Sequence, residues 1–318
     1  MLYLAPDNPR PSGGVRSIYR QVDVLRQLGA DARVVHERPG FRAAWFENHT
    51  PVLAARDAAV GPTDVLVVPE IYGPGLGTLP RDPRKLVLNQ GAYLTFDALP
   101  WPGAGAGEPY RGLAGLEGLL TVSEDSERLL GFAFPELPRL RVRNVVDPLV
   151  FRPATGPRRP GPVRLACTSG RRPEDRVRLQ HLLRAHGTAD AFDLRVLEGL
   201  SEEAMAEALR DSDVFVSLGD REGFGMPPAE AMACGCYVIG FDGRGGREFF
   251  DPTYCRPVSD GDLLGLAEAV DDVVGSWSEC GEDLREAGRR ASRAVLTRYS
   301  SDGLRTDLAA VLDFLGSS

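Results

Sequence analysis

The sequence predicts an α/β protein made of two doubly wound halves, each a parallel sheet covered by helices. Three observations lead there. Short apolar runs alternate with helix-period stretches along the chain, and strands alternating with helices wind into parallel sheets covered on both faces. A proline-rich stretch, 147–162, interrupts that alternation near the middle. The length of 318 residues is also too great for one ordinary core and suits two domains of about 150 residues each.

Leu2-Tyr3-Leu4 is a short strand, and a Pro/Gly-rich turn follows it, ending in Ser12-Gly13-Gly14. Val15, Ile18, Val22, Leu25 and Leu28 then recur at helical spacing, and Gly29 stops the helix. Ala32 to Val35 is the next strand, with further apolar runs at 65–68, 86–88, 119–122 and 140–142. Ser123 followed by Glu124 caps a helix running towards Leu130. The segment 147–162 has the composition of a stiff interdomain linker. Beyond it, strands are expected at 163–167, 194–197, 214–217 and 237–239, and helices at 174–186, 202–210 and 227–233. Three more helices, 260–274, 281–297 and 302–315, close the chain. Gly103 to Gly107 reads as a surface loop.

Composition removes several function classes. The net charge of -8 argues against a nucleic-acid-binding surface. Lys85 is the single lysine, so Schiff-base or pyridoxal-phosphate chemistry would have to run through it. Cys167, Cys234, Cys236, Cys255 and Cys280 are odd in number, and no pair has C-x-x-C spacing, so buried reduced thiols are expected. The start of the chain lacks the basic and long apolar regions of a leader, and no apolar run approaches a membrane span. A cytoplasmic location is the expectation.

The most informative stretch is Glu222-Gly223-Phe224-Gly225-Met226-Pro227-Pro228-Ala229-Glu230, continuing Ala231-Met232-Ala233-Cys234-Gly235. A glycine-rich turn between a strand and a helix aims backbone N–H groups outwards at the positive end of a helix dipole, which suits phosphate or sugar oxygens. Glu222 and Glu230 are spaced to face one cleft, and carboxylates accept hydrogen bonds from vicinal diols. Composition alone also allows a tight turn carrying two solvated glutamates.

This stretch resembles the E-x7-E signature of the retaining GT-B glycosyltransferases of family 4. Ser169-Gly170-Arg171-Arg172 running to Arg176 is similar to the family's phosphate-binding segment. Asp213 to Ser217 resembles the strand that leads into the glutamate turn, and Cys236 to Gly240 with Gly245-Gly246-Arg247-Glu248 resembles the strand and turn after it. Asn144-Val145-Val146-Asp147 with Phe151-Arg152-Pro153 is similar to the family's linker, while Gly13-Gly14 and Thr121-Val122-Ser123 match more weakly.

The resemblance implies a GT-B fold of two Rossmann-like domains whose parallel sheets face a central cleft. Residues 1–150 would form the acceptor side, 151–297 would bind the donor, and 298–318 would return to the first domain. The implied activity is metal-independent transfer of a sugar from a nucleoside diphosphate to a hydroxyl acceptor, a small molecule or a glycan, with retention. No cofactor is implied beyond the nucleotide-sugar co-substrate. Glu222 would hold the donor sugar, beside the amides of Gly223, Phe224 and Gly225, and Glu230 the ribose. Gly13, Gly14 and Gly170 would line the donor, and Arg171, Arg172 and Arg176 compete for the diphosphate. The sequence departs from the family where a histidine is usual, giving Asn89-Gln90-Gly91-Ala92-Tyr93 instead, so Asn89, Gln90 and Tyr93 become the candidates on the acceptor and sugar side. His181 and His186 are expected on the surface. A non-catalytic nucleotide-sugar-binding partner subunit and a nucleotide-sugar epimerase stand as alternatives. Peripheral membrane contact, a partner subunit and a homodimer are left open.

Two further patterns are set aside. Asp211-Ser212-Asp213 spells D-x-D, a metal-nucleotide pattern, but it lies where a helix gives way to a buried strand. Gly73 to Gly77 lacks the spacing of a dinucleotide loop.

Overall fold

The computed structural model describes residues 1–97, 109–156 and 161–317. The Gly103–Gly107 loop and part of the 147–162 linker lie outside the described residues. The chain forms two compact units, Met1–Val145 with Ser301–Ser318, and Val146–Ser300. The division thus falls after Val145 rather than after residue 150, and the returning segment begins at Ser301 rather than at 298.

In the first unit, strands β1 (Leu2–Leu4), β2 (Arg33–His36), β3 (Val52–Ala54), β4 (Val65–Pro69), β5 (Arg84–Asn89), β6 (Leu116–Thr121) and β7 (Arg139–Arg141) form one parallel sheet in the order β3-β2-β1-β4-β5-β6-β7. Helices α1 (Gly13–Gln27) and α2 (Glu124–Ala133) belong to it. Ser12 and Ser123 cap these helices by accepting the N–H of Val15 and of Ser126. Buried side chains on β4 to β6 divide between two apolar clusters. Val65, Val67, Leu86, Leu88 and Leu120 join one, and Leu66, Val68, Val87 and Leu119 join the other. A strand buried on both faces reads as a continuous apolar run, which is why β4 was visible in the sequence. The short strand β3 has no such run and was not expected.

In the second unit, β8 (Val163–Thr168), β9 (Phe192–Leu197), β10 (Val214–Glu222), β11 (Tyr237–Arg244) and β12 (Arg256–Val258) form a parallel sheet in the order β12-β11-β10-β8-β9. Helices α3 (Pro173–His186), α4 (Glu202–Arg210), α5 (Met226–Ala233), α6 (Leu263–Gly275) and α7 (Trp277–Arg298) accompany it. β10 and β11 run well past their expected ends, because the polar tips Gly219–Glu222 and Asp242–Arg244 continue the ladder.

The last helix, α8 (Ser301–Gly316), packs with α1 in the first unit. Leu304, Leu308, Val311 and Leu315 form its buried stripe, the spacing that puts side chains on one helix face. Arg143 fastens it, donating to both carboxylate oxygens of Asp307 at 2.7 and 2.8 Å. Among the described residues no helix is long and apolar enough to cross a membrane.

Candidate functional site

Each sheet has one place where successive connections leave in opposite directions, between β1 and β4 in the first and between β8 and β10 in the second. Such switch points open a crevice at the carboxyl ends of the strands, where α/β folds bind ligands. In each unit the candidate residues collect there.

In the second unit, β8 delivers Gly170, Arg171 and Arg172 to the start of α3, while β10 delivers Glu222 and the glycine turn to the start of α5. Arg171 bridges the two, donating from Nε and Nη2 to the carboxylate oxygens of Glu222 at 2.7 and 3.3 Å. Arg172 is committed elsewhere. Its Nη2 donates to Asp220 at 3.0 Å and to Asp260 at 2.6 Å, its Nη1 lies 3.5 Å from Asp175, and its guanidinium covers the Phe241 ring. Arg244 donates to the other oxygen of Asp260 at 2.8 Å. Arg176, one turn into α3, has a buried Nε with no hydrogen-bond partner among the described residues. Arg171 thus spans the crevice and Arg172 is held by three carboxylates, while a buried Nε without a hydrogen-bond partner among the described residues occurs in both Arg172 and Arg176.

Backbone strain gathers at the same place. Among the described residues four non-glycine positions have positive φ, and Arg172, Arg221 and Arg244 are three of them, at 42°, 47° and 74°. Each such residue costs on the order of 1–3 kcal/mol, and such strain clusters at functional sites. Asp220, Arg221, Arg244 and Asp260 belong to no motif, and only the bulge in β10 between Gly219 and Glu222 brings the first two to the crevice.

The glutamate turn is clamped from below. A Cβ on Gly245 would overlap the carbonyl oxygen of Gly223, so the two glycine turns pack backbone to backbone. Phe224 is buried, edge-on to Tyr299 at 4.7 Å and tilted against Phe249 at 5.2 Å. Its side chain anchors the turn, leaving its amide as the group available to a ligand. Glu248 accepts the Tyr299 hydroxyl at 2.6 Å. Gly225, at φ 96°, opens α5, and Pro227 and Pro228 remove two of the donors that a helix start offers. The donors here are accordingly those of Phe224, Gly225 and Met226. Glu230 is buried at 4% exposure on α5.

In the first unit, Gly13 and Gly14 form the opening turn of α1. A Cβ on Gly14 would lie 2.9 Å from Oε1 of Gln90, so glycine is what lets the Gln90 side chain lie there. The neighbouring candidates are turned away. Asn89 is fully buried, its Nδ2 donating to Thr95 at 2.7 Å and to the Tyr110 hydroxyl at 2.8 Å. The Tyr93 hydroxyl donates to Asp125 at 2.9 Å. Of the three, Gln90 is the one set beside the glycine turn. Glu70, which follows β4 at the switch point and opens the 3-10 turn, carries no motif and was missed. The signal for it was an acidic residue one proline beyond the apolar run 65–68.

Several other expectations resolve structurally. Lys85 is buried, donating to the carbonyl oxygens of Arg81, Pro83 and Ala114, so it is a structural ammonium. Asp211 and Asp213 both pair with Arg164 and tie β8 to the start of β10. Among the described residues no cluster of ligating side chains could hold a metal ion. Gly73 lies in a 3-10 turn over Glu70–Thr78. Four cysteines are buried, and burial pushes the Cys167 thiol up to about 11.

Comparison with known proteins adds three findings. Residues 162–291 match the family described as Glycosyl transferases group 1. A stretch of 86 residues is 34% identical to an alpha-1,6-glucosyltransferase of Actinobacillus pleuropneumoniae serotype 7 (strain AP76), covering 27% of this chain and 21% of that one. The chain thus spans about a fifth of that relative's length. Among solved structures, sucrose-phosphate synthase from Thermosynechococcus elongatus superposes with a TM-score of 0.71 at 13% identity, over 99% of this chain and 98% of that one. Anabaena HepE in complex with UDP and glucose does so with a TM-score of 0.67 at 12% identity, over 98% of each chain. At that identity the likeness is one of fold, and the fold is GT-B: two parallel-sheet α/β domains.

Proposed function

We propose that the protein is a glycosyltransferase that takes a sugar from a nucleoside-diphosphate donor and passes it to a hydroxyl acceptor, with retention and without a metal. The observation that carries this reading is the crevice between β8 and β10, where Arg171 and Glu222 meet across the switch point beside the glycine turn. That crevice lies within the segment matching Glycosyl transferases group 1.

In this reading Glu230 accepts the ribose hydroxyls and Glu222 the hydroxyls of the donor sugar. Arg176 and Arg171 take the diphosphate, with the amides of Phe224 and Gly225 alongside. Arg172 holds the strained turn in place through its carboxylates. The bond from the anomeric carbon to the diphosphate oxygen breaks, a bond to the acceptor oxygen forms on the same face, and the acceptor hydroxyl's proton passes to the departing diphosphate. Positive charge already in position meets the charge growing on the leaving diphosphate. The Gly13–Gly14 turn lines the donor, and Gln90 beside it stands on the acceptor and sugar side.

A thermal-shift screen with UDP, GDP, dTDP and ADP, with and without EDTA, tests the donor site, since a ligand that binds the folded state raises its apparent stability. One diphosphate should stabilise the protein, EDTA should not change that shift, and Glu230→Ala should abolish it. No shift with any of the four would refute the donor site. Turnover lost in Glu222→Gln with the shift retained distinguishes an enzyme from a non-catalytic binding subunit.

A further inference from the structure

Glu70 follows β4 directly at the switch point of the first sheet, opens the 3-10 turn, and is 4% exposed. A carboxyl buried to that extent needs hydrogen bonds to its oxygens. Its Oε2 accepts the N–H of Gln90 at 3.0 Å, and the amides of Gly91 and of Glu70 itself also serve the carboxyl. A Cβ on Gly91 would stand 3.2 Å from Oε1 of Glu70, so the turn lies directly on the carboxyl. The Gln90 side chain in turn reaches the start of α1 at Gly14. One carboxyl therefore sets where the Gln90 amide stands.

We propose that Glu70 is a positioning residue whose carboxylate holds the Gln90–Gly91 turn, and through it the Gln90 side chain, in the arrangement that sugar transfer requires. This rests on the glycosyltransferase reading and adds to it a residue outside every recognised motif. Burial pushes the carboxyl up from its ordinary 4.5 to about 7, against the pull of the amides. Among the described residues no arginine, lysine or histidine contributes to that shift. The titratable groups around it are Tyr72 on the same 3-10 turn, which itself feels Asp7 and Glu37, and Tyr110, pushed up to about 12 by its own burial and further by Glu70. As a carboxylate, Glu70 accepts all of the amides. Once protonated, one oxygen becomes a donor facing N–H groups while the other still accepts, and the hold on the turn weakens. Turnover therefore rises with pH through about 7.

Glu70→Gln imitates the protonated state at every pH. In the wild-type protein the Gln90 and Gly91 amide resonances should titrate near pH 7, and in Glu70→Gln they should not. Release of UDP from UDP-glucose should fall about tenfold in kcat and lose its pH limb, while UDP affinity, a property of the second unit, stays within about twofold. In a Gln90→Ala background Glu70→Gln should cost nothing more, because Glu70 holds the Gln90 backbone N–H and acts on transfer only through the side chain that Gln90→Ala removes. Turn amides that do not titrate in the wild type would overturn the proposal. So would a pH limb that survives in Glu70→Gln, or losses from the two substitutions that simply multiply. Titrating amides in a protein that neither binds nor releases any of UDP, GDP, dTDP and ADP would support the Glu70 anchor and refute the transferase reading.

Discussion

With UDP as the diphosphate probe, the proposed donor site predicts that Glu222→Gln binds it more tightly while turning over more slowly. In the folded protein Arg171 already has an anionic partner at 2.7 Å, and a diphosphate must compete with that carboxylate for the guanidinium. The side chains are 47% and 20% exposed, so the pair is partly solvated and worth roughly 0.2–1 kcal/mol. Removing the competing charge should lower the Kd of UDP by up to about fivefold. The gain should shrink at high salt, where the Debye length falls to about 3 Å. UDP-glucose should not gain, because the same substitution removes a hydrogen-bond partner for the sugar, a loss of about 1–3 kcal/mol. Isothermal titration of UDP and of UDP-glucose against both proteins, at two ionic strengths, reads all of this directly. If UDP binds Glu222→Gln more weakly than the wild type, or just as tightly, the carboxylate does not compete for Arg171 and the reasoning fails.

Other expectations follow from single contacts. Gly245→Ala drives a methyl into the Gly223 carbonyl; it should lower stability by about 1–3 kcal/mol and abolish the UDP-induced thermal shift. His36 is buried between the Tyr19 hydroxyl at 2.8 Å and Asp7 at 2.9 Å, and burial, outweighing Asp7, lowers its pKa from the ordinary 6.5. The unfolded chain protonates there first, so His36 contributes stability above pH 6.5 that is lost as pH falls below it. Unfolding curves from pH 7 to pH 5 should thus be flatter for His36→Gln than for the wild type. Glu70 acts in the opposite sense in this window, its raised pKa favouring the folded state at low pH, so the difference between the two proteins is the quantity to compare. Lys85→Met leaves buried carbonyl oxygens without a donor and should cost about 1–3 kcal/mol in chemical denaturation.

The sequence by itself determined the alternation of strands and helices, the Ser123 cap of α2, the closing helix over 302–315 and the glycine-rich glutamate turn. All of these are local. A helical period, a cap and a strand-to-helix glycine turn each depend on residues within a few positions of one another. Tertiary structure decided which side chains meet. Arg172 finds Asp220 and Asp260 far along the chain because β8, β10 and β12 run parallel and end on one edge of the same sheet. Asn89 faces the core and Gln90 the glycine turn because successive residues at a strand end point to opposite faces, and which face is buried is set by packing. Glu70 became a candidate only once the strand order placed the switch point beside it. Strand order, register and the burial that shifts a carboxyl are long-range properties, and no local pattern encodes them.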